Sequence, residues 1–508
     1  MGDIHRRDFV KLAGAGLGAL VASSFFHDRL WAGTAPAPEA VFEDRFGVSR
    51  EAMRQVLAAA LARGGDFAEL FFEYKLMNAV TMEDDIVKES SEEVILGVGI
   101  RVLSGTQTGY GYTSDLSMPK MKEAALAAGA IASSGGRFEA KALESVHAGR
   151  QAYSMEKPVT EATLPDKIAL VKEAYAAALA ADKRVTKVSV TLTDELQYVS
   201  IANSEGLLVS DARPQTRMRV RATAEDKGVR NTGSGNAGGR VGMAFYGAEG
   251  TTPKDLAKKA VWEALTLLTA VNAVAGDQPV VLGKDESGVM IHEAVGHPLE
   301  ADGNWKKTSI MWDKLGQTVA SPLVTISDDA TIASYRGSLN VDDEGTPTGS
   351  ALLIEKGRLV GYLHDRLSAR IMKVPPNGHG RRDGFASMPI PRMNNTILAR
   401  GETPPEDIIK SVKKGFYAQT YQGGQVQGTG KFTFSVNLGY LIEDGKLTTP
   451  VKNATLIGTN VQILKEVEMI GTDMAFFLGS CGKGGQWAGV TAGTPTLRIR
   501  QMTVGGRK

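Results

Sequence analysis

The chain carries a single cysteine, Cys481, in 508 residues, so it cannot close a disulfide within itself. Histidine is almost as scarce, with seven, and aromatic residues make up only 6%. Neither sign of charge predominates. With 58 basic side chains against 57 acidic ones, a nucleic-acid groove is not expected. Beyond the first forty residues no run of 20 apolar residues occurs, so the chain reads as soluble, without a membrane span. Glycine is what the chain has in excess. Its 58 copies suit a turn-rich β protein with some helices. The length is too great for one core, and two or three domains are expected.

Against this scarcity of ligand-type residues, the run His292-Glu293-Ala294-Val295-Gly296-His297 is conspicuous. Two imidazoles and one thiolate are three protein ligands that a catalytic zinc commonly keeps, with a fourth position open. Glu293 stands where a metal-dependent hydrolase keeps its general base. The spacing departs from H-E-x-x-H, whose histidines at i and i+4 share one helix face. Here they lie at i and i+5, about 140° apart on a regular helix. Either a π-bulge restores the shared face, or the helix breaks and His297 enters from a turn. Gly296 and Pro298, flanking His297, favour fraying or bulging at that point. Cys481 sits in the glycine-rich stretch Gly479 to Gln486, read as a loop, and spacing alone makes it a free thiol rather than a ligand.

Other charged groups carry weaker signals. Glu300 and Asp302, just after the second histidine, are candidates for orienting the ligand rings. Arg381, Arg382 and Arg392 could bind a substrate carboxylate or an oxyanion, although loop arginines are usually solvated or paired with acids. Asp342, Asp343 and Glu344 could hold a second cation but read better as a solvated acidic turn. His379, in a glycine-flanked loop, stays outside the ligand set.

Periodicity predicts an α+β chain. A helix over 48–63, capped by Ser49, precedes strands at 68–74 and 94–103 and a helix at 119–133. A second block has a helix at 164–181 and strands at 186–193, 197–203, 207–211 and 218–224. The order recurs roughly 118 residues on (Val48 with Thr163, Ala68 with Lys187, Ile100 with Val220), which points to a duplication. A helix at 253–275 and a strand at 279–282 lead into the histidine run. The glycine-rich stretch Thr232 to Gly239 fits no phosphate-binding pattern and reads as a turn. Past residue 320, short β segments between glycine turns, with one helix at 405–414, predict a barrel or sandwich. The expected division is an α+β region of helices on antiparallel sheets at 40–250, linking helices with the metal motif at 251–310, and a β-rich domain at 311–508 that completes the site.

The first 37 residues read as an address. His5-Arg6-Arg7-Asp8-Phe9-Val10-Lys11 resembles the twin-arginine export consensus, and an apolar, glycine- and alanine-rich run from Leu12 to Phe26 follows. An A-x-A pattern at Ala35-Pro36-Ala37 is followed by Pro38, which leaves the cut site open. Periplasmic localisation is the expectation. In an oxidising compartment a lone cysteine is free, paired between chains, or sheltered as a metal-bound thiolate.

Longer matches extend these readings. Residues Ile291 to Asp302 resemble the H-E-x-x-x-H segment of the catalytic branch of the TldD/PmbA metallopeptidase family. The similarity continues through Asp342 to Pro347, Gly378 to Arg382, Pro391 to Thr396, Gly423 to Val426, Thr449 to Val451, Ala454 to Gly458, Cys481 to Gln486 and Gly493 to Arg498. It covers about residues 40 to 508. The resemblance implies that His292, His297 and Cys481 bind zinc and that Glu293 is catalytic. It also implies hydrolysis of peptide bonds in unfolded or extended peptides, by a homodimer or a heterodimer with a PmbA-type paralogue that lacks the metal motif. A non-catalytic, zinc-stabilised peptide-binding or maturation-assisting protein is the alternative, against which an intact Glu293 speaks. Regulation of a DNA-modifying enzyme, a role attached to the family name, fits poorly with neutral charge and an export signal.

Overall fold

The structure, a computed structural model, describes residues 37–131, 139–149, 151–153, 158–284 and 286–506. The twin-arginine segment and the apolar run after it lie outside these residues. Among the described residues no helix is long and apolar enough to cross a membrane.

The N-terminal half is built from one unit used twice. The helix Arg50–Leu61 begins where the Ser49 side chain accepts the Ala52 N–H, as its sequence position predicts. Strands Phe67–Glu83, Ile86–Ser104 and Gln107–Thr113 follow, then the helix Met118–Ile131. The second unit repeats this order: helix Leu164–Ala181, strands Val185–Asn203, Leu207–Asp226 and Val229–Gly239, and helix Pro253–Leu268. Phe67–Glu83 pairs antiparallel with Val185–Asn203, so the two units fuse into one continuous sheet with their helices layered on one face.

The strands are longer than their apolar patterns suggested. The segments expected at 186–193 and 197–203 form one strand, as do those at 207–211 and 218–224. Continuous antiparallel pairing, including Leu196 opposite Pro214, carries the ladder across the polar interruptions. The stretch Thr232 to Gly239 is likewise not a turn but the body of an edge strand. Its glycines make room for a helix. A Cβ on Gly233 would sit 2.3 Å from the Ala260 carbonyl oxygen, and one on Gly235 would sit 2.2 Å from that of Leu256. Gly111 does the same for Ala124 in the first unit, at 2.4 Å.

Side-chain alternation gives the sheet two different faces. Leu70 and Phe72 meet the helices, whereas Glu69, Phe71 and Glu73 face the C-terminal half. There, strands Lys414–Val426, Gly276–Leu282, Leu497–Gly505, Ala454–Thr459 and Lys431–Glu443 pair in a closed ring, a five-stranded barrel. A six-stranded sheet stands beside it, ending in Asn395–Leu398, Gln486–Thr494 and the edge strand Ala475–Lys483. Both share one apolar core with the histidine segment. The α+β expectation therefore holds, and of the two β-rich options the barrel is the one formed.

The acidic turn Asp342 to Glu344 departs from expectation. All three residues are buried where the N-terminal sheet meets the C-terminal half, not solvated. Asp343 pairs with Arg213, and Glu344 with Arg101, while Arg382 reaches Glu69 at 2.7 Å. The Asp342 carboxylate accepts backbone N–H groups of Glu344, Thr346 and Gly380. Arginines and backbone amides thus engage all three carboxylates, and among the described residues none of the three belongs to a group of metal-ligand type.

Candidate metal centre

The barrel strand Gly276–Leu282 delivers the chain to the helix Gly288–Ile291, whose Val289, Met290 and Ile291 are buried in the shared core. Gly288 permits this seating, since a Cβ there would lie 2.5 Å from the Ala492 oxygen of the neighbouring strand. From His292 to Gly296 the helix widens into a π-turn, and a 3-10 turn His297–Leu299 follows. The N–H of His297 donates to the carbonyl of His292, so the i to i+5 hydrogen bond joins the two histidines themselves. The π-bulge is thus the route taken. It absorbs the 140° offset of the ideal helix and turns both rings to one side, with their centroids 5.1 Å apart.

Cys481 reaches the same point from the edge strand Ala475–Lys483. The glycine-rich stretch around it is not an open loop. It is the end of a hairpin in which Cys481 lies opposite Ala488, and Gly484 and Gly485 take positive φ at the turn. Its sulfur stands 3.2 Å from His297 Nε2, and the ligand atoms of His292, His297 and Cys481 lie within 4.8 Å of one another. Glu293 Oε2 is 3.9 Å from His297 Nε2. Beside them opens a cleft of about 610 Å³ whose wall includes Glu293, His297, Cys481 and Gln425.

The residues present fit a metal ion. Two imidazoles and a thiolate are a donor set that suits zinc. His292 is buried, and its Nδ1 has no hydrogen-bond partner among the described residues. Burial pushes the Cys481 thiol up, but His292 and His297 together outweigh it and pull the thiol down to about 5. The sulfur is therefore a ready thiolate at neutral pH. Burial alone would lower His297. Glu300, then Cys481, instead hold it well above the usual histidine range. Burial also raises the Glu293 carboxyl above its ordinary range, against the pull of both histidines.

Glu300 does what its position suggested: its Oε2 lies 3.0 Å from His297 Nδ1 and fixes that ring from behind. Asp302 does not touch a histidine. It holds Lys483 at 2.6 Å, and the same ammonium lies 3.1 Å from Glu300 Oε2. Arg392 donates from Nη2 to the Cys481 carbonyl at 2.5 Å, with Nε 3.6 Å from Glu300. Lys483 and Arg392 thus tie the cysteine strand to the histidine segment from both sides. Lys483 escaped the sequence reading, although it lies two residues after Cys481 and so on the same strand face. Arg381 donates to the Met393 carbonyl, and Arg382 belongs to the buried pairs described above. His379 bonds Asp328 and Asn377 and is not among the grouped ligands.

Comparison with known proteins points to a metallopeptidase family. Family models described as PmbA/TldA metallopeptidase domain 1, central domain and C-terminal domain match residues 68–132, 157–268 and 275–506. A Haemophilus influenzae protein named metalloprotease TldD homolog is 41% identical over 452 residues, covering 87% of this chain and 94% of that protein. The chain belongs to the TldD/PmbA family. A Saccharolobus solfataricus member named zinc metalloprotease TldD homolog is 29% identical over 233 residues, 46% of this chain and 52% of its own. The family fold is also seen in a crystal structure from Thermotoga maritima, of a protein described as a proposed modulator of a DNA gyrase. It superposes with a TM-score of 0.74 at 22% identity, covering 90% of this chain and all of that one. The TldD/PmbA domain 1 and central-domain matches fall on the first and second α-β-β-β-α units, and the C-terminal match takes in the histidine segment and the barrel.

Proposed function

We propose that this TldD/PmbA-family chain is a zinc-dependent peptidase that hydrolyses extended or unfolded peptides, with Glu293 as general base. The observation that carries the reading is the convergence of His292, His297 and Cys481 ligand atoms within 4.8 Å, beside Glu293, where Glu293, His297 and Cys481 line an open cleft. Family membership supports a metallopeptidase, and the name of the Saccharolobus solfataricus relative, a zinc metalloprotease, supports zinc.

In this reading His292, His297 and Cys481 hold the ion. When bound, zinc supplies Lewis acidity, which polarises a carbonyl and brings the pKa of water towards ~7. The chain's own residues do the rest. Glu293 takes a proton from the attacking water and returns it to the leaving amine. Its raised pKa, caused by burial, suits both halves of that transfer near neutral pH. Glu300 keeps the His297 ring in one tautomer and orientation.

The test is metal content together with cleavage of an unstructured peptide library, for wild type and Glu293→Ala. We expect zinc at near-equal occupancy in both proteins and activity at least 100-fold lower in the variant. Equal cleavage by both would overturn the assignment of Glu293, and absence of cleavage by zinc-loaded wild type would overturn the peptidase reading. Export to the periplasm and pairing with a second copy or a PmbA-type partner are parts of the same proposal, checked by cell fractionation and sedimentation.

A further inference from the structure

A second, smaller pocket of about 180 Å³ lies next to the cleft, and Ser480 and Trp487 line both. Its wall is cationic. Arg240, Arg336 and Arg381 line it, and none of the three forms an ion pair among the described residues. Arg381 and Arg240 are at least nine-tenths buried, with 5% and 6% of their surface exposed. The Nε atoms of Arg240 and Arg336 are buried without a hydrogen-bond partner. Among the described residues the Arg336 side chain donates to the Ser480 hydroxyl, at 3.3 Å, with Glu195 nearby, and Arg381 donates to a backbone carbonyl.

The acids in the same wall do not cancel this charge. Asp343 is engaged by Arg213 and by the Arg382 N–H, and Glu195 accepts from Gln215 at 2.8 Å. Asp383 is the third. Lys75, Arg213 and Arg382 complete the wall but are paired with Glu73, Asp211 and Glu69, which leaves Arg240, Arg336 and Arg381 facing Glu195 and Asp383. Burial, followed by nearby Arg240, Arg392 and Arg213 acting against Asp343, pulls the Arg381 guanidinium down to about 9. A buried guanidinium without a direct ion pair is costly to keep, and a planar bidentate acceptor is what it binds best. Gly489 keeps the way clear: a Cβ there would sit 3.0 Å from Arg336 Nε.

We propose that this pocket is a carboxylate-binding subsite that takes an acidic group of the peptide held in the adjacent cleft. The inference rests on the peptide-substrate reading and deepens it. Both pockets meet at the hairpin that carries Cys481, so an extended peptide crossing Ser480 and Trp487 would present its carboxylate to the arginines while its backbone lies by the histidines. The carboxylate has two sources, the chain's own C-terminus or an Asp or Glu side chain.

Binding without catalysis tests this. An unstructured hexapeptide with neutral side chains is titrated calorimetrically into zinc-loaded Glu293→Ala protein, once as the free acid and once as the C-terminal amide. A third peptide is amidated but carries one internal Glu. For this otherwise wild-type pocket we expect at least one acidic peptide to bind about tenfold or more tightly than the neutral amide, a typical gain for a charge-assisted pair. Free acid alone identifies end recognition, and the Glu peptide alone identifies side-chain recognition. Adding Arg336→Gln or Arg240→Gln should bring the ratio to within about twofold while leaving the neutral amide unaffected, and Arg336→Lys should retain part of it. Arg336 is only half-buried, so its variants keep the test alive if Arg240→Gln fails to fold. Ratios near one in the parent protein, or ratios unchanged by both Gln variants, would overturn the subsite. An unchanged ratio with weakened subunit association would assign the arginines to a partner's acids instead. Loss of the peptidase reading shows separately, as absence of cleavage by zinc-loaded wild type.

Discussion

At the scale of single residues, the site depends on groups that touch the ligands rather than on the ligands alone. Glu300 is fully buried, and its carboxylate is caught between His297, Lys483 and Arg392. Burial opposes its ionisation, but His297 first, then Lys483, hold it down to about 2, so it is anionic at neutral pH. Glu300→Gln keeps the shape and removes the charge. We expect zinc affinity to fall by about 10- to 100-fold, read by competition with a chelator, while the thermal unfolding midpoint moves little. At this scale the histidines and Glu293 were legible because their types and adjacency carry chemistry. Cys481 was legible only through family resemblance, since 184 residues separate it from His297 and no local pattern spans that gap.

Among elements, the π-turn is the device that makes i and i+5 equivalent to the usual i and i+4. Gly296 has helical φ of −55°, so its role is space rather than a special backbone conformation. A Cβ there would stand 1.8 Å from the sulfur of Met393, which is itself fully buried. Gly296→Ala should therefore cost about 1–3 kcal/mol in denaturant unfolding, as overpacking usually does. It should also weaken zinc binding, because the displaced turn carries His297. An unchanged midpoint and affinity would show that Met393 yields freely. Glycine and proline near His297 foretold an irregular helix, and the choice between bulge and break came from packing. The opposite lesson comes from Thr232 to Gly239. Glycines that look like turn residues are there because a helix lies against the strand, a reason that no local window contains.

Across the whole molecule, the two halves meet through buried ion pairs rather than an apolar seam alone. Arg101 lies between Glu69 of the N-terminal sheet and Glu344 of the C-terminal half. Arg101→Leu would leave the buried Glu344 carboxyl without its cation and Glu69 with Arg382 alone, and we expect a loss of about 3–5 kcal/mol in equilibrium unfolding. A second prediction concerns acid. Burial, then the neighbouring His379, lowers His364 to about 4 from an ordinary 6.5. Between those values the unfolded chain binds a proton that the folded chain refuses, so stability must fall as pH drops from 6.5 towards 4. His364→Asn removes that proton. By pH 4.5 the variant should gain roughly 2 kcal/mol on wild type relative to their difference at pH 7, measured by urea unfolding at both. A constant difference across that range would show that His364 does not carry this acid sensitivity.

By itself the sequence determined the chemistry on offer, the α+β class and the repeated order of elements. Residue type and hydrophobic period are local properties, and a window of a few residues contains them. Only the tertiary structure decided that Cys481, brought by a hairpin edge, meets the histidines, and that the acidic turn at Asp342 is buried under arginines. It also decided that long strands run on through polar stretches. Each of those outcomes depends on what the rest of the chain places opposite a residue, and the free energy of burial, pairing and close packing is set by that opposite surface.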